Sequence, residues 1–324
     1  MHQRLRRRLR AALAAIAAAA GLVLAASPAP ASAPAPDAAV TVSGAGGTTT
    51  TLTAPAQRIV SLAPHLTELL FAAGAGDRVI GTSAWSDHPP AAVAIPRIGD
   101  SHAFDIERIL GLQPDLVVAW DGNAPRHVAQ LRRLGIPIHL EGAERLDDIG
   151  AALERLGRLA DTEAQAQEAA DRYRQRLAGL RERHAGLAPV PVFHQIWDQP
   201  LMTINGRHPV SDLIAACGGE NVFAGSPALT PTVSYEAVLR AGPQVITAAD
   251  DTEDPLAAWR RWPTLPAVAG GRLIALPADA ISRLSPRLLD AAAPLCGAIA
   301  AARGADTVSS GIRPAGSAHA PETP

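Results

Sequence analysis

The chain has 324 residues, 48% of them hydrophobic and 19% charged, with a formal net charge of −2 and two cysteines. That balance excludes a basic nucleic-acid binder and a chain that is disordered throughout. It leaves a globular chain with apolar material for one large or two small cores.

The first 33 residues read as an export signal. Arg4, Arg6, Arg7, Arg8 and Arg10 form a cationic start, residues 11–26 are apolar, and Ala31-Ser32-Ala33 is a small-x-small cleavage site. The apolar run is short and Ala-rich, and Pro28 and Pro30 follow it at once, which disfavours a retained anchor. The expectation is a signal peptide over 1–33, cleaved near Ala33, and a periplasmic mature protein. Without those five arginines, 24 arginines face 31 acids, a mildly acidic formal charge of −7. Residues 34–56 and 304–324 are Pro, Ala, Ser and Thr without periodicity and are expected to be disordered.

From residue 57 to 160 strands and helices alternate: a strand over 57–62, a helix over 66–73, a strand over 78–82, a helix over 104–112, a strand over 115–120, a helix over 125–134 and a strand over 136–140. That is the pattern of a parallel α/β lobe. Residues 161–185 are rich in Ala, Gln, Glu and Arg, with Tyr173, Leu177 and Leu180 at helical spacing, and should form one long helix. A second α/β lobe follows over 186–303, with strands at 190–197, 245–247 and 272–276 and helices at 210–217, 234–239 and 286–302. The fold class is therefore two Rossmann-like lobes with parallel-type sheets, joined by one long rigid helix, with a ligand cleft between them. A single connecting helix resists large closure, so the cleft should be largely preformed.

The two lobes carry the same text. Asp105-Ile106-Glu107-Arg108-Ile109-Leu110-Gly111-Leu112-Gln113-Pro114-Asp115-Leu116-Val117-Val118-Ala119 returns as Ser234-Tyr235-Glu236-Ala237-Val238-Leu239-Arg240-Ala241-Gly242-Pro243-Gln244-Val245-Ile246-Thr247-Ala248. Each copy reads as a capped helix with Glu in its first turn, a Pro that stops it, and a buried strand. A looser echo relates Thr67-Glu68-Leu69-Leu70-Phe71-Ala72-Ala73-Gly74 to Ser211-Asp212-Leu213-Ile214-Ala215-Ala216-Cys217-Gly218. Cys217 and Cys296 are an even pair in an exported chain, which favours a disulfide, worth about 4 kcal/mol in the chain-entropy model, over two buried thiols.

Ligands of open parallel sheets sit beyond the carboxyl ends of the strands. His65, Trp85, Ser86, Trp120 and Asp121 follow strands of the first lobe, and Trp197, Met202, Thr230, Asp279 and Arg283 occupy comparable loops of the second. An indole offers a wide apolar face and one N–H donor, which suits Trp85, Trp120 and Trp197 to line a ligand cleft. Trp259 and Trp262 read as packing residues instead.

Arg58-Ile59-Val60-Ser61-Leu62-Ala63-Pro64, Trp85-Ser86-Asp87-His88-Pro89-Pro90, Ala216-Cys217-Gly218-Gly219-Glu220-Asn221-Val222-Phe223 and Ser285-Pro286-Arg287-Leu288-Leu289 carry a resemblance. In this order and spacing they resemble the substrate-binding proteins of ATP-driven importers of the cobalamin, haem and siderophore type, over about residues 57–302. The resemblance implies a protein that captures cobalamin or a related corrinoid, with haem or a ferric siderophore as the alternative, and delivers it to an ABC transporter permease dimer in the inner membrane. It implies a monomer that needs no cofactor and catalyses nothing. Glu107 and Glu236 are then permease-docking acids, one per lobe, although either also suits its helix dipole. Asp279 and Arg283 resemble residues that face the corrinoid. Ser101, Thr230, Ile196, Met202 and Trp85 depart from the cobalamin-binding pattern, so the pocket wall differs from it.

No His-rich loop is present, so no metal site is expected. His65, His88 and His102 read as hydrogen-bonded loop residues before they read as ligands of a haem iron or corrinoid cobalt. Gly44 to Gly47 and Gly74-Ala75-Gly76 do not lie between a strand and a helix, and G-x-S-x-G, H-E-x-x-H and Walker patterns are absent, so no enzyme motif competes with the binding reading.

Overall fold

Short strands of Val, Ile and Leu that are apolar on both faces need cover on both sides, and this chain supplies it twice. The computed structural model describes residues 39–120, 125–249 and 252–310, with side chains as far as residue 305. A hairpin of β1 (Val40–Ser43) and β2 (Thr49–Leu52) opens it. The first lobe follows: β3 (Ile59–Ser61), α1 (Pro64–Ala72), β4 (Val79–Thr82), α2 (Ile106–Gly111), β5 (Leu116–Trp120), α3 (Pro125–Arg133) and β6 (Ile138–Glu141). Then come α4 (Leu146–Leu159) and α5 (Glu163–His184). The second lobe comprises β7 (Val190–Gln195), β8 (Trp197–Asp198), β9 (Leu201–Met202), α6 (Pro209–Ala216), β10 (Gly219–Asn221), α7 (Tyr235–Ala241), β11 (Val245–Ala248), α8 (Pro266–Ala269), β12 (Leu273–Ala275), α9 (Ala278–Ile281) and α10 (Ala292–Ser310).

Both main sheets are parallel, ordered β4-β3-β5-β6 and β10-β7-β11-β12. Numbered within each lobe, both orders read 2-1-3-4. The repeat therefore holds at the level of topology. It also holds at single dihedrals: Gln113 (φ 50°) and Gly242 (φ 59°), at equivalent places, both end their helix in the left-handed region, as do Gly74 (φ 83°) and Gly218 (φ 77°). In each long repeat the capping residue accepts from the third amide beyond it, Asp105 from Arg108 and Ser234 from Ala237.

One apolar cluster runs from Leu66 and Leu69 of the first lobe through Ile149 and Leu153 of α4 and Tyr173 and Leu177 of α5 to Leu213 and Leu295 of the second. The outer faces have separate clusters, one around Val117 and Ile109, the other around Phe193, Ile246 and Trp259. Trp259 is fully buried and donates to Gln195 at 2.8 Å, which makes it a core residue. The 22-residue α5 is continuous, about 33 Å long, and anchors Tyr173 on the Leu146 carbonyl at 2.9 Å. Cys217, at the end of α6, is bridged to Cys296 of α10.

Three features depart from expectation. Residues 40–52 lie within the segment expected to be disordered, yet they form a hairpin. Its Val42 and Leu52 are buried in the main cluster, and Thr50 bonds the Ile138 carbonyl and the His139 ring of β6. Alternation turns Thr50 and Leu52 of this Thr-rich stretch inward on one buried face. The helix α4 is absent from the strand–helix pattern read from the sequence. Gly157 weakens its local helix propensity but is required in space, because a Cβ there would come within 2.2 Å of Ala166 Cβ on α5. At the other end α10 runs to Ser310, past the expected boundary at 303. Residues 1–38, which hold the expected signal peptide, and 311–324 lie outside the described residues.

Candidate functional site

The carboxyl ends of both main sheets converge on a cavity of about 630 Å3. Leu62, Ala63 and His65 follow β3, Ser83 to Trp85 follow β4, and Trp120 ends β5; Ile196 follows β7 and Ala249 follows β11. This is the crevice that a 2-1-3-4 parallel order creates, because its connections leave the first and third strands in opposite directions. A second recess of about 540 Å3 shares Trp120, His208 and Leu284 with the first. A shallower hollow of about 510 Å3 runs along α5 and α10 and includes no residue at a strand end.

Trp85 is 76% exposed and has φ 64°, a left-handed conformation that costs an aromatic residue about 1–3 kcal/mol and must be held by its surroundings. The Arg283 guanidinium does so from the opposite lobe, donating to the Trp85 carbonyl at 3.0 Å. Beneath, the buried Ser86 lies 3.1 Å from the Ser83 hydroxyl and accepts from Thr67 at 3.2 Å. Across the cavity the Trp120 ring meets His65 edge-on, centroids 6.0 Å apart. The loop carrying Asp100, Ser101 and His102 is tied by Asp100, whose carboxylate accepts from the His102 and Ala103 amides. Those bonds hold the Asp100 carboxyl below its usual range. Gly99 (φ 114°) is obligatory in this loop, since a Cβ would meet the Ala103 carbonyl oxygen at 2.2 Å.

Four histidines line the cavity: His65, His102, His194 and His208. Burial lowers His65 from 6.5 to about 4, opposed by the charge of Glu141 and assisted by Arg283. Burial likewise lowers His194 to about 3, with His208 adding to the effect, and His208 to about 4. All three are neutral imidazoles at pH 7. His194 shares a 2.8 Å hydrogen bond with Thr247, and His208 accepts from the Val210 amide at the start of α6. Among the described residues no group of three or more His, Cys, Asp or Glu is placed to hold a metal ion.

Beside the cavity the lobes are fastened by a charge cluster around Glu68, a buried residue of α1. Its carboxylate accepts from Arg283 and Arg287, both at 2.9 Å, and from the Ser285 hydroxyl at 2.5 Å. Arg283 also pairs with Asp87 at 2.8 Å, and Arg287 with Asp279. Burial opposes ionisation of Asp87, but the hydrogen bond and charge of Arg283 outweigh it and keep the carboxyl below its usual range. A second inter-lobe contact joins Arg145 to Asp212 at 2.6 Å.

Of the residues expected in the cleft, His65, Trp85 and Trp120 line it. Ser86 does not; it is buried under the loop that carries Trp85. Arg283 and Asp279 are turned into the Glu68 cluster, although Ser282 and Leu284, flanking Arg283, line the cavity. Trp197 and Met202 face each other across the β8–β9 hairpin, and alternation along the chain sends Trp197 to the face opposite the cavity-lining Ile196. Thr230 is exposed beside Leu229, which lines the second recess. Asp121 lies outside the described residues. Of the histidines weighed as metal ligands, His65 and His102 line the cavity and His88 does not. His194 and His208 were not anticipated. His194 lies inside a strand, and the signal for His208 is its place before Pro209, which marks a helix start opening on the cleft. Glu107 and Glu236, in the first turns of α2 and α7, are exposed and line none of these cavities.

Comparison with known proteins agrees with this architecture. Residues 59–280 match the family described as periplasmic binding protein. The vitamin B12-binding protein of Vibrio cholerae serotype O1 is 41% identical over 244 residues, 75% of this chain and 88% of that one. The crystal structure of the periplasmic vitamin B12 binding protein of Vibrio cholerae superposes with a TM-score of 0.71 at 40% identity, covering 77% of this chain and 98% of that one. A periplasmic haem-binding protein from Roseiflexus, in its apo form, superposes with a TM-score of 0.67 at 25% identity, covering 76% and 99%. Two parallel 2-1-3-4 lobes on one long helix, with a cleft at their strand ends, thus meet a family match across most of the chain, and the protein belongs to the periplasmic binding proteins.

Proposed function

We propose that this protein captures cobalamin or a related corrinoid in the inter-lobe cleft and presents it to an ABC transporter permease in the inner membrane. The observation that carries the reading is the cavity itself. It is a wide crevice at the ends of both sheets, flanked by the Trp85 and Trp120 indoles, in a chain 41% identical to a vitamin B12-binding protein across 88% of that protein's length. Indole faces and aliphatic walls match a corrin ring, and the polar rim of Asp100, Ser101 and Ser282 matches its amide arms. Binding is non-covalent and the protein catalyses no reaction on its ligand. It acts as an exported monomer, its signal peptide removed near Ala33, and needs no cofactor. Trp85, Trp120 and His65 contact the ligand, while Arg283 acts through the Trp85 loop it holds.

One observation favours a second reading. Neutral imidazoles at His65, His194 and His208 line the same cavity, and a neutral imidazole is a ligand for haem iron. Parallel calorimetric titrations with cyanocobalamin and haemin separate the two. One-to-one binding of cyanocobalamin with weak or no haemin binding is expected. Tight haemin binding with a shifted Soret band, and no heat from cyanocobalamin, would replace the corrinoid with haem.

A further inference from the structure

The recess of about 540 Å3 beside the main cavity is not built by the strand ends alone. One wall is the turn of the β1–β2 hairpin, Gly44 to Gly46, which precedes the family-matched residues 59–280. The turn is held tightly to the sheet edge, because a Cβ on Gly44 would come within 2.5 Å of the Leu140 carbonyl oxygen. Opposite walls come from the second lobe, with Arg207, Pro209, Leu229 and Leu284. Trp120, His208 and Leu284 line both recesses, so a ligand can extend from one into the other without leaving the cleft.

We infer that this second recess is a subsite for the nucleotide arm of a corrinoid, the appendage that carries an aromatic base, a ribose and a phosphodiester. The inference rests on the corrinoid reading and deepens it. Trp120, Leu229 and Leu284 offer apolar surface to a planar base. Glu144 offers an acceptor to ribose hydroxyls, whereas Asp148, also in the wall, is occupied by the Glu144 and Arg145 amides. Two arginines line the recess, and their situations differ. Arg155 is bound to Glu141 by two hydrogen bonds and is locally neutralised. Arg207 is exposed and donates to the neutral Pro227 carbonyl at 3.0 Å, so its planar fork of five N–H donors is the cation suited to a phosphodiester. A corrin ring without the arm is served by the main cavity alone. The hairpin thereby sets which corrinoid is preferred.

The test compares cyanocobalamin with cobinamide, which has the ring and lacks the nucleotide arm, on the mature protein and on two variants that fill the recess from opposite lobes, Ala45→Trp and Leu229→Trp. Both variants are expected to weaken cyanocobalamin by about tenfold or more while leaving cobinamide within about twofold, and the retained cobinamide binding doubles as the check on folding. Arg207→Ala should weaken cyanocobalamin alone in the same way. Equal losses for both ligands, or no loss for either, would overturn the subsite and leave the corrinoid reading standing. A parent protein that binds neither corrinoid overturns the reading and the subsite together.

Discussion

Glu68 shows how much one side chain can organise. It is a buried carboxylate of the first lobe whose three partners, Arg283, Ser285 and Arg287, all belong to the second. Removing its charge leaves two partly buried guanidinium groups facing a weaker acceptor, although Asp87 and Asp279 still pair with them. Glu68→Gln is therefore expected to lower the unfolding free energy by about 2 kcal/mol, measured by urea denaturation. A change under about 0.5 kcal/mol would mean that the cluster does not fasten the lobes. The histidines give a separate signature. His65, His194 and His208 have folded pKa values of about 4, 3 and 4, below the 6.5 of a free imidazole. Between pH 6.5 and about 4 the unfolded chain takes up protons that the folded chain excludes. Their contribution to stability is complete above 6.5 and is lost as the pH falls through that window, by up to about 1.4 kcal/mol per pH unit for each histidine. Urea unfolding at about pH 7.5 and about pH 5 reads this directly; equal stability at the two would contradict the burial of these rings.

Among the elements, the repeated helices α2 and α7 carry the two acids proposed to dock a permease. Each begins with a capped turn and carries an exposed acid, Glu107 or Glu236, at the same step of the repeat. Among the described residues Glu236 pairs with Arg240, one helical turn along and itself 76% exposed, a contact worth little in water. Two acids at equivalent places on related lobes suit a two-fold symmetric permease. Glu107→Ala combined with Glu236→Ala is expected to weaken docking to permease-containing vesicles about tenfold or more while corrinoid affinity stays unchanged; undiminished docking would remove the assignment. These helices were legible in the sequence because cap, Pro stop and strand recur in fixed order. The hairpin and α4 were not. The first is a Thr-rich run whose two buried apolar positions, Val42 and Leu52, become apolar signals only once α4 is there to cover them. The second contains Gly150 and Gly157, which weaken a local helix and acquire their purpose from close packing against α5.

At the scale of the whole molecule, a core continuous from Leu66 through α4 and α5 to Leu295, together with the Glu68 cluster, ties the two walls of the cleft to each other. The part of the cleft set by strand ends could be read from sequence, and His65, Trp85 and Trp120 line the cavity. The part set by which way a side chain turns could not. Arg283 is drawn from the cavity by Glu68, Trp197 is turned aside by its hairpin, and His194 reaches the cavity from within a strand. In the proposed reading a corrinoid lies in this cleft against Trp120, the indole shared by both recesses. Calorimetric titration of cyanocobalamin into the mature protein and into Trp120→Ala tests it most directly. One-to-one binding, weakened about tenfold or more by Trp120→Ala, is the predicted result. Absence of binding, or an affinity that Trp120→Ala leaves untouched, would contradict it.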